Sequence, residues 1–225
     1  MKKPFKSVQE QIHRLFQEKE FQRVVDLLNG VTDDDYEAFL FRGMSLSRLN
    51  WHREALTVLS RGLDVFPENP DLLAERAVVF LHLGKKALCI LDLDAAVELE
   101  KQNPYRYASR GFVREKLGDI EGATSDYEKA LELDPSDAIT HNNLGMIFEK
   151  KGRAQQAKSH FDLADALQGL EGAEMWNKSA PDSNEQKSDL SLSGASPWYK
   201  EMWKPIVIKE ERRAFWRWLK GENSK

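Results

Sequence analysis

The feature that most constrains this chain is a period of 34 residues. Gly43, Ala77, Gly111 and Gly145 are spaced by it, and so are Asn50, Gly84, Gly118 and Gly152. Ala55, Cys89, Ala123 and Ala157 keep the same spacing, followed by Gly62, Ala96, Ala130 and Ala164. Leu59, Leu93, Tyr127 and Phe161 form a column of large residues. Four blocks therefore run without insertion: 36–69, 70–103, 104–137 and 138–171. A repeat of this length is one supersecondary unit that cannot bury its apolar stripe alone, so the blocks must stack into a solenoid.

Each block contains two helical stretches around a turn at its fifteenth position. Glycine takes positive φ there without strain, and Asn50 is the next best residue. The small residues at positions 8 and 20 let paired helices approach closely, and the large residue at position 24 fills what remains. Pro67 and Pro135 end second helices. Pro70 and Pro104 start first helices, where the missing N–H costs nothing.

These columns resemble the tetratricopeptide repeat (TPR) family: small residues at positions 8, 20 and 27, a turn at 15, a large residue at 24 and Pro at 32. The match is strongest in ASRGFVREKLGDIEGATSDYEKALELDPSD and HNNLGMIFEKKGRAQQAKSHFDLADAL. The resemblance implies an all-α superhelical solenoid. Residues 5–35 read as a degenerate first repeat, with a stripe at Val8, Ile12 and Leu15 and a second at Val24, Val25 and Leu28. The expected array thus spans 5–171 in about five hairpins. Position 28, which should face the next hairpin, is Leu63, Val97 and Leu131, then Asp165. With Lys158 and Asp162, this gives the last repeat a polar outer face.

Position 7, usually Leu in this family, is Arg42, Arg76, Arg110 and then Leu144. Position 23 is Val58, Asp92, Asp126 and His160. Asp occurs only where Arg does, which predicts Arg76–Asp92 and Arg110–Asp126 ion pairs inside their hairpins. The alternative is an arginine ladder for an acidic ligand. Arg42, lacking such an acid, is the candidate for a freer role.

The resemblance also implies peptide binding on the concave face lined by first helices. The partner-binding residues expected there are Phe16, Leu40, Met44, Ala74, Val78, Leu81, Phe112 and Met146. The Lys/Asn/Arg carboxylate clamp of chaperone-binding TPR domains is absent, since Leu40, Ala74 and Ala108 occupy its places. An apolar or amphipathic segment suits such a groove better than an acidic tail, in the manner of a chaperone-like adaptor.

The C-terminal region differs in kind. Residues 178–196, rich in Ser and Asp, read as a flexible linker. Residues 197–225 hold four of the six tryptophans and a net charge of +4, against −8 for the first 196 residues. Over 207–220, Ile208, Phe215, Trp218 and Leu219 fall near one helical face. Trp198, Trp203, Phe215, Trp216 and Trp218 are the candidate docking residues of this tail. It can pack on the array, in cis or in a homodimer, with the concave apolar strip around Leu40, Met44, Val78 and Phe112 as the favoured dock, or it can recognise another protein. It can also lie on a membrane surface, which makes peripheral membrane assembly the alternative function. The acidic body opposes nucleic-acid binding.

One cysteine excludes an intramolecular disulfide framework and a multi-cysteine zinc site. The first residues, MKKPFKSVQEQIHR, lack the apolar core of a signal peptide, and no apolar run reaches spanning length. These features point to a cytoplasmic location. The five histidines are scattered, and no phosphate loop, HExxH or nucleophile elbow occurs. Cys89 takes the place of a packing alanine. The expectation is a non-catalytic interaction scaffold with no cofactor and no metal.

Overall fold

The computed structural model describes residues 3–32 and 35–167. Ten α-helices occupy this span: α1 (Gln9–Gln17), α2 (Phe21–Leu28), α3 (Tyr36–Arg48), α4 (His52–Val65), α5 (Pro70–His82), α6 (Lys86–Leu99), α7 (Pro104–Leu117), α8 (Ile120–Leu133), α9 (Ala138–Lys150) and α10 (Ala154–Leu167). Successive helices pair as hairpins, and each hairpin packs on the next. The 178–196 linker and the 197–225 tail lie outside the described residues.

Local chemistry sets the ends of the helices. Asn50, Gly84, Gly118 and Gly152, the turn column, all have positive φ, from 63° to 88°. Lys19 takes the same conformation at φ 61° in the α1–α2 turn, so the first hairpin makes its bend without glycine. Asp35, Asn69, Asn103 and Asp137 form a further 34-residue column. Each caps the N-terminus of a first helix by accepting a backbone N–H, from Glu37, Leu72, Tyr105 and Ile139 in turn. Capping of this kind is worth roughly 1 kcal/mol per helix. Pro70 and Pro104 occupy the first turns of α5 and α7.

Packing follows the small-and-large columns. A methyl group at Gly43 would sit 2.5 Å from the Leu59 side chain, and one at Gly145 would sit 2.6 Å from the Phe161 ring. In these two hairpins the first helix therefore lies against the second with no room for a side chain at position 8, while the α5–α6 hairpin admits the methyl group of Ala77. Ala77, Cys89, Ala123 and Ala157 are buried between the helices. Leu63 and Val97 are buried toward the following hairpin, while Asp165 is exposed on α10.

The N-terminal half holds the largest apolar core. Ile12, Leu15, Phe16, Val24 and Leu28 of the first hairpin join Phe39, Leu40, Phe41, Met44, Leu59 and Leu72. Phe16 meets Phe41 edge-on, with centroids 5.3 Å apart. An isolated parallel bridge seals this end: Lys3 N–H donates to the Gly30 carbonyl at 2.9 Å, and Thr32 N–H donates to the Lys3 carbonyl at 2.8 Å. Full burial of each such side chain is worth about 1.5–3 kcal/mol. Smaller clusters around Phe80 and Leu93, and around Tyr127 and Leu144, continue the core into later repeats.

Candidate protein-interaction face

The first helices α3, α5 and α7 lie beside one another, and their shared face is where a ligand-binding groove was expected. The structure divides the expected residues in two. Phe16, Leu40, Met44 and Ala74 are buried, the first three in the N-terminal core. Leu40 and Met44 present no contact surface, because the first hairpin covers them. Val78, Leu81, Phe112 and Met146 keep part of their side chains accessible. The accessible apolar strip thus begins on α5 and runs over α7 to α9, further along the array than the spacing alone suggests. The Lys116 ammonium sits 5.3 Å from the centre of the Phe112 ring.

Charge is gathered beside this strip. Glu75 of α5 lies in the electrostatic reach of Arg48 of α3, Arg106 of α7 and Asp71. Burial pushes the Glu75 carboxyl up to about 7; Arg48 and Arg106 oppose the shift and Asp71 adds to it. Burial lowers the Arg48 guanidinium from its usual range and raises the Tyr105 phenol. At the far end, Glu115 accepts from the Lys150 ammonium at 2.8 Å, and Glu149 is exposed. The path along Val78, Leu81, Phe112 and Met146 thus runs from the buried Glu75 cluster to the Lys150-paired Glu115 and exposed Glu149.

The predicted ion pairs are present. Arg76 donates Nε and Nη2 to the two Asp92 oxygens at 2.7 and 2.8 Å. Arg110 grips Asp126 the same way, at 3.0 and 2.7 Å. Two partners were not foreseen: Arg114 also donates to Asp126, at 2.8 Å, and Asp94 of the preceding hairpin accepts from Arg110 at 2.7 Å. Buried Arg106 joins Asp71 at 2.6 Å to Glu100 at 2.5 Å. These arginines are absorbed by structural partners, which removes the ligand-binding ladder as a reading of their column. Arg42, expected to be freer, donates Nη2 to the Leu28 carbonyl at the end of α2. A helix terminus leaves such carbonyls without partners inside the helix, and the Leu28 carbonyl accepts from Arg42 as the aspartate accepts in the later hairpins.

Four of the five histidines form two pairs, and His13 lies beside Phe41 and Glu37. His52 and His82 stack with centroids 4.5 Å apart. His141 Nδ1 lies 3.0 Å from His160 Nδ1, and its Nε2 lies 3.1 Å from the Pro135 carbonyl. The Cys89 thiol is buried, and burial pushes it up to about 12. A thiol in that state is not a nucleophile at neutral pH. Among the described residues, no group of three or more His, Cys, Asp or Glu side chains could hold a metal ion, and no helix is long and apolar enough to cross a membrane.

Three family models match the chain: "Tetratricopeptide repeat" at residues 40–104 and again at 138–169, and "TPR repeat" at 115–152. No curated protein sequence matches. Solved structures similar to the chain include MamA 41-end from Desulfovibrio magneticus RS-1. It is 21% identical, with a TM-score of 0.60, over 73% of this chain and 94% of that one. Another crystal structure of MamA is 19% identical, with a TM-score of 0.58, over 73% of this chain and 95% of that one. At such identities the likeness is one of fold. With the 34-residue columns, the left-handed turns and the stacked hairpins in place, the chain belongs to the tetratricopeptide repeat family and has its all-α solenoid.

Proposed function

We propose that the array is a non-catalytic scaffold whose α5–α7–α9 face binds an apolar or amphipathic segment of a partner protein. The family supports the general role, since TPR arrays are protein-interaction scaffolds. The observation that carries the finer reading is the accessible strip of Val78, Leu81, Phe112 and Met146, with exposed Glu149 at its far end. Apolar anchors supply binding energy once desolvated, and the flanking charge sets orientation. A segment with basic residues beside its apolar ones fits best.

The test is selection of peptides from a displayed library on the full chain, followed by titration against variants. Phe112→Glu and Met146→Glu should each weaken the selected peptides at least about tenfold, or ~1.4 kcal/mol, while circular dichroism stays helical. Met44→Glu should instead unfold the N-terminal half, because Met44 is core. Undiminished binding by both strip variants would refute the site.

A further inference from the structure

The repeats provide an internal control for one surface. On the outer side of each second helix, the register positions of α4 are Glu54, Thr57 and Arg61. In α8 they are Gly122, Ser125 and Lys129, and in α10 Gln156, Ser159 and Leu163. In α6 the same positions are Leu88, Leu91 and Ala95; Leu99, one turn later, stands at a position that is apolar in every hairpin, as Val65, Leu133 and Leu167. Leu88, Leu91 and Leu99 are 42%, 63% and 42% exposed. Helical spacing of three and four places them on one stripe. The inner side of α6 is already committed, with Cys89, Leu93, Ala96 and Val97 in the core. Over its first two turns this helix is therefore apolar on both sides, where its three counterparts carry only polar residues or glycine at the positions of Leu88 and Leu91. The stripe is not needed for stacking, since the other hairpins stack without one. An exposed apolar row of this kind marks a contact surface.

We propose that this stripe is the docking site of the chain's own tail, through the segment 207–220, in the same molecule. Three observations select that occupant. The tail's Ile208, Phe215, Trp218 and Leu219 repeat at helical spacing and supply an apolar row of matching kind. The charges are complementary as a whole: the first 196 residues carry −8 and the tail +4, and Glu98, beside the α6 stripe and paired with exposed Lys101, has a side chain 72% exposed. The length suffices. Residues 168–206 separate α10 from the segment, and 39 residues can extend to roughly 130 Å. Four packed helix diameters put α6 within about 40 Å of α10. The first-helix strip, left open by this arrangement, stays available to a partner. The dock thus differs from the groove that sequence alone favours for the tail, whose Leu40 and Met44 are filled by core.

The test uses the full chain carrying Trp51→Phe and Trp176→Phe, so that only the four tail tryptophans emit. Docking predicts blue-shifted emission, independent of protein concentration. Acrylamide accessibility should be about tenfold below that of the free 197–225 peptide, as for a segment docked about nine-tenths of the time. Leu88→Gln with Leu91→Glu, both changes at exposed positions, should restore peptide-like accessibility while the helical circular dichroism is kept. Phe215→Ser with Leu219→Ser in the tail should do the same. Phe112→Glu should leave the protection intact. Protection that survives the α6 changes, or that Phe112→Glu abolishes, overturns the site. Protection lost on dilution overturns docking within one molecule in favour of a second copy. Solvent-like emission in the unaltered stripe also overturns it, and a shift then seen only with phosphatidylserine vesicles would assign the tail to a membrane surface.

Discussion

Two ion pairs at the same register offer a controlled measurement of what a buried carboxylate costs. Asp92 has one cation, Arg76, in a bidentate contact, and the Asp92 side chain is 6% exposed. Asp126 is as deeply placed, at 4%, but it has two cations, Arg110 and Arg114. Arg76→Leu keeps the packing of the arginine stem and strands a desolvated carboxylate. At charge separations near 4 Å and an effective dielectric of about 20, the lost attraction is ~4 kcal/mol before relaxation. Water entry and adjustment reduce this, so a net loss of about 2–4 kcal/mol is expected. Arg76→Leu with Asp92→Leu removes both charges and should recover all but about 1 kcal/mol, giving a coupling of ~2 kcal/mol.

Arg110→Leu should cost less, about 1–2 kcal/mol, because Arg114 still holds Asp126. Its other partner, Asp94, is substantially exposed and contributes little. Urea denaturation at pH 7, followed by far-ultraviolet circular dichroism, measures all of these variants. Additivity of the Arg76 and Asp92 changes within about 0.5 kcal/mol would refute the pairing. An Arg110→Leu loss equal to that of Arg76→Leu would refute the role assigned to the second cation.

Burial lowers both His52 and His82, the latter to about 4 with neighbouring His52 and Arg48 adding to the shift. Their contribution is present above the ordinary histidine value of 6.5 and is lost as pH falls toward 4; thermal melts should show that loss, and His82→Asn should blunt it. Gly43→Ala presses a methyl group into fully buried Leu59 and should cost about 1–3 kcal/mol in denaturant titrations. Gly84→Ala meets no neighbour but must hold φ near 70°, so it should cost about 1 kcal/mol, from backbone strain alone. Cys89 should react with Ellman's reagent only at the rate of unfolding; prompt reaction in native buffer would show an open thiol.

Much of the fold is legible in the sequence because a repeat prints each structural demand several times. Gly84, Gly118 and Gly152 mark one bend, and Asn50 shows that the demand is for positive φ rather than for glycine. The capping column of Asp35, Asn69, Asn103 and Asp137 carried an equally strong signal: only residues that can accept a backbone N–H occur there. The ion pairs inside hairpins were readable because Arg and Asp vary together at two fixed positions. Arg106 and Arg114 were not, since each occurs in one block, and neither was Asp94, whose column holds Glu128 and Asp162 in later blocks and which pairs with Arg110 of the next hairpin. The interaction face was half legible. Register places Met44 and Val78 on equivalent positions, but only the structure shows that the first hairpin covers one and leaves the other accessible.

The distribution of those unforeseen contacts explains how the array stays ordered where its apolar core thins. Toward the N-terminus, large side chains cross from hairpin to hairpin, and burial alone sets the geometry. From α5 onward the crossing contacts are increasingly ionic: Arg106 ties α7 to Asp71 of α5 and to Glu100 just beyond α6, and Arg110 ties α7 to Asp94 of α6. Burial of apolar surface is indifferent to small slides, whereas a planar guanidinium gripping two carboxylates accepts one register. Each of these arginines replaces an apolar residue that would add more stability, since buried pairs rarely outperform hydrophobic packing. What they supply is a fixed angle between successive first helices. That angle determines whether Val78, Leu81, Phe112 and Met146, which come from three different helices, align as one strip that a single segment can follow.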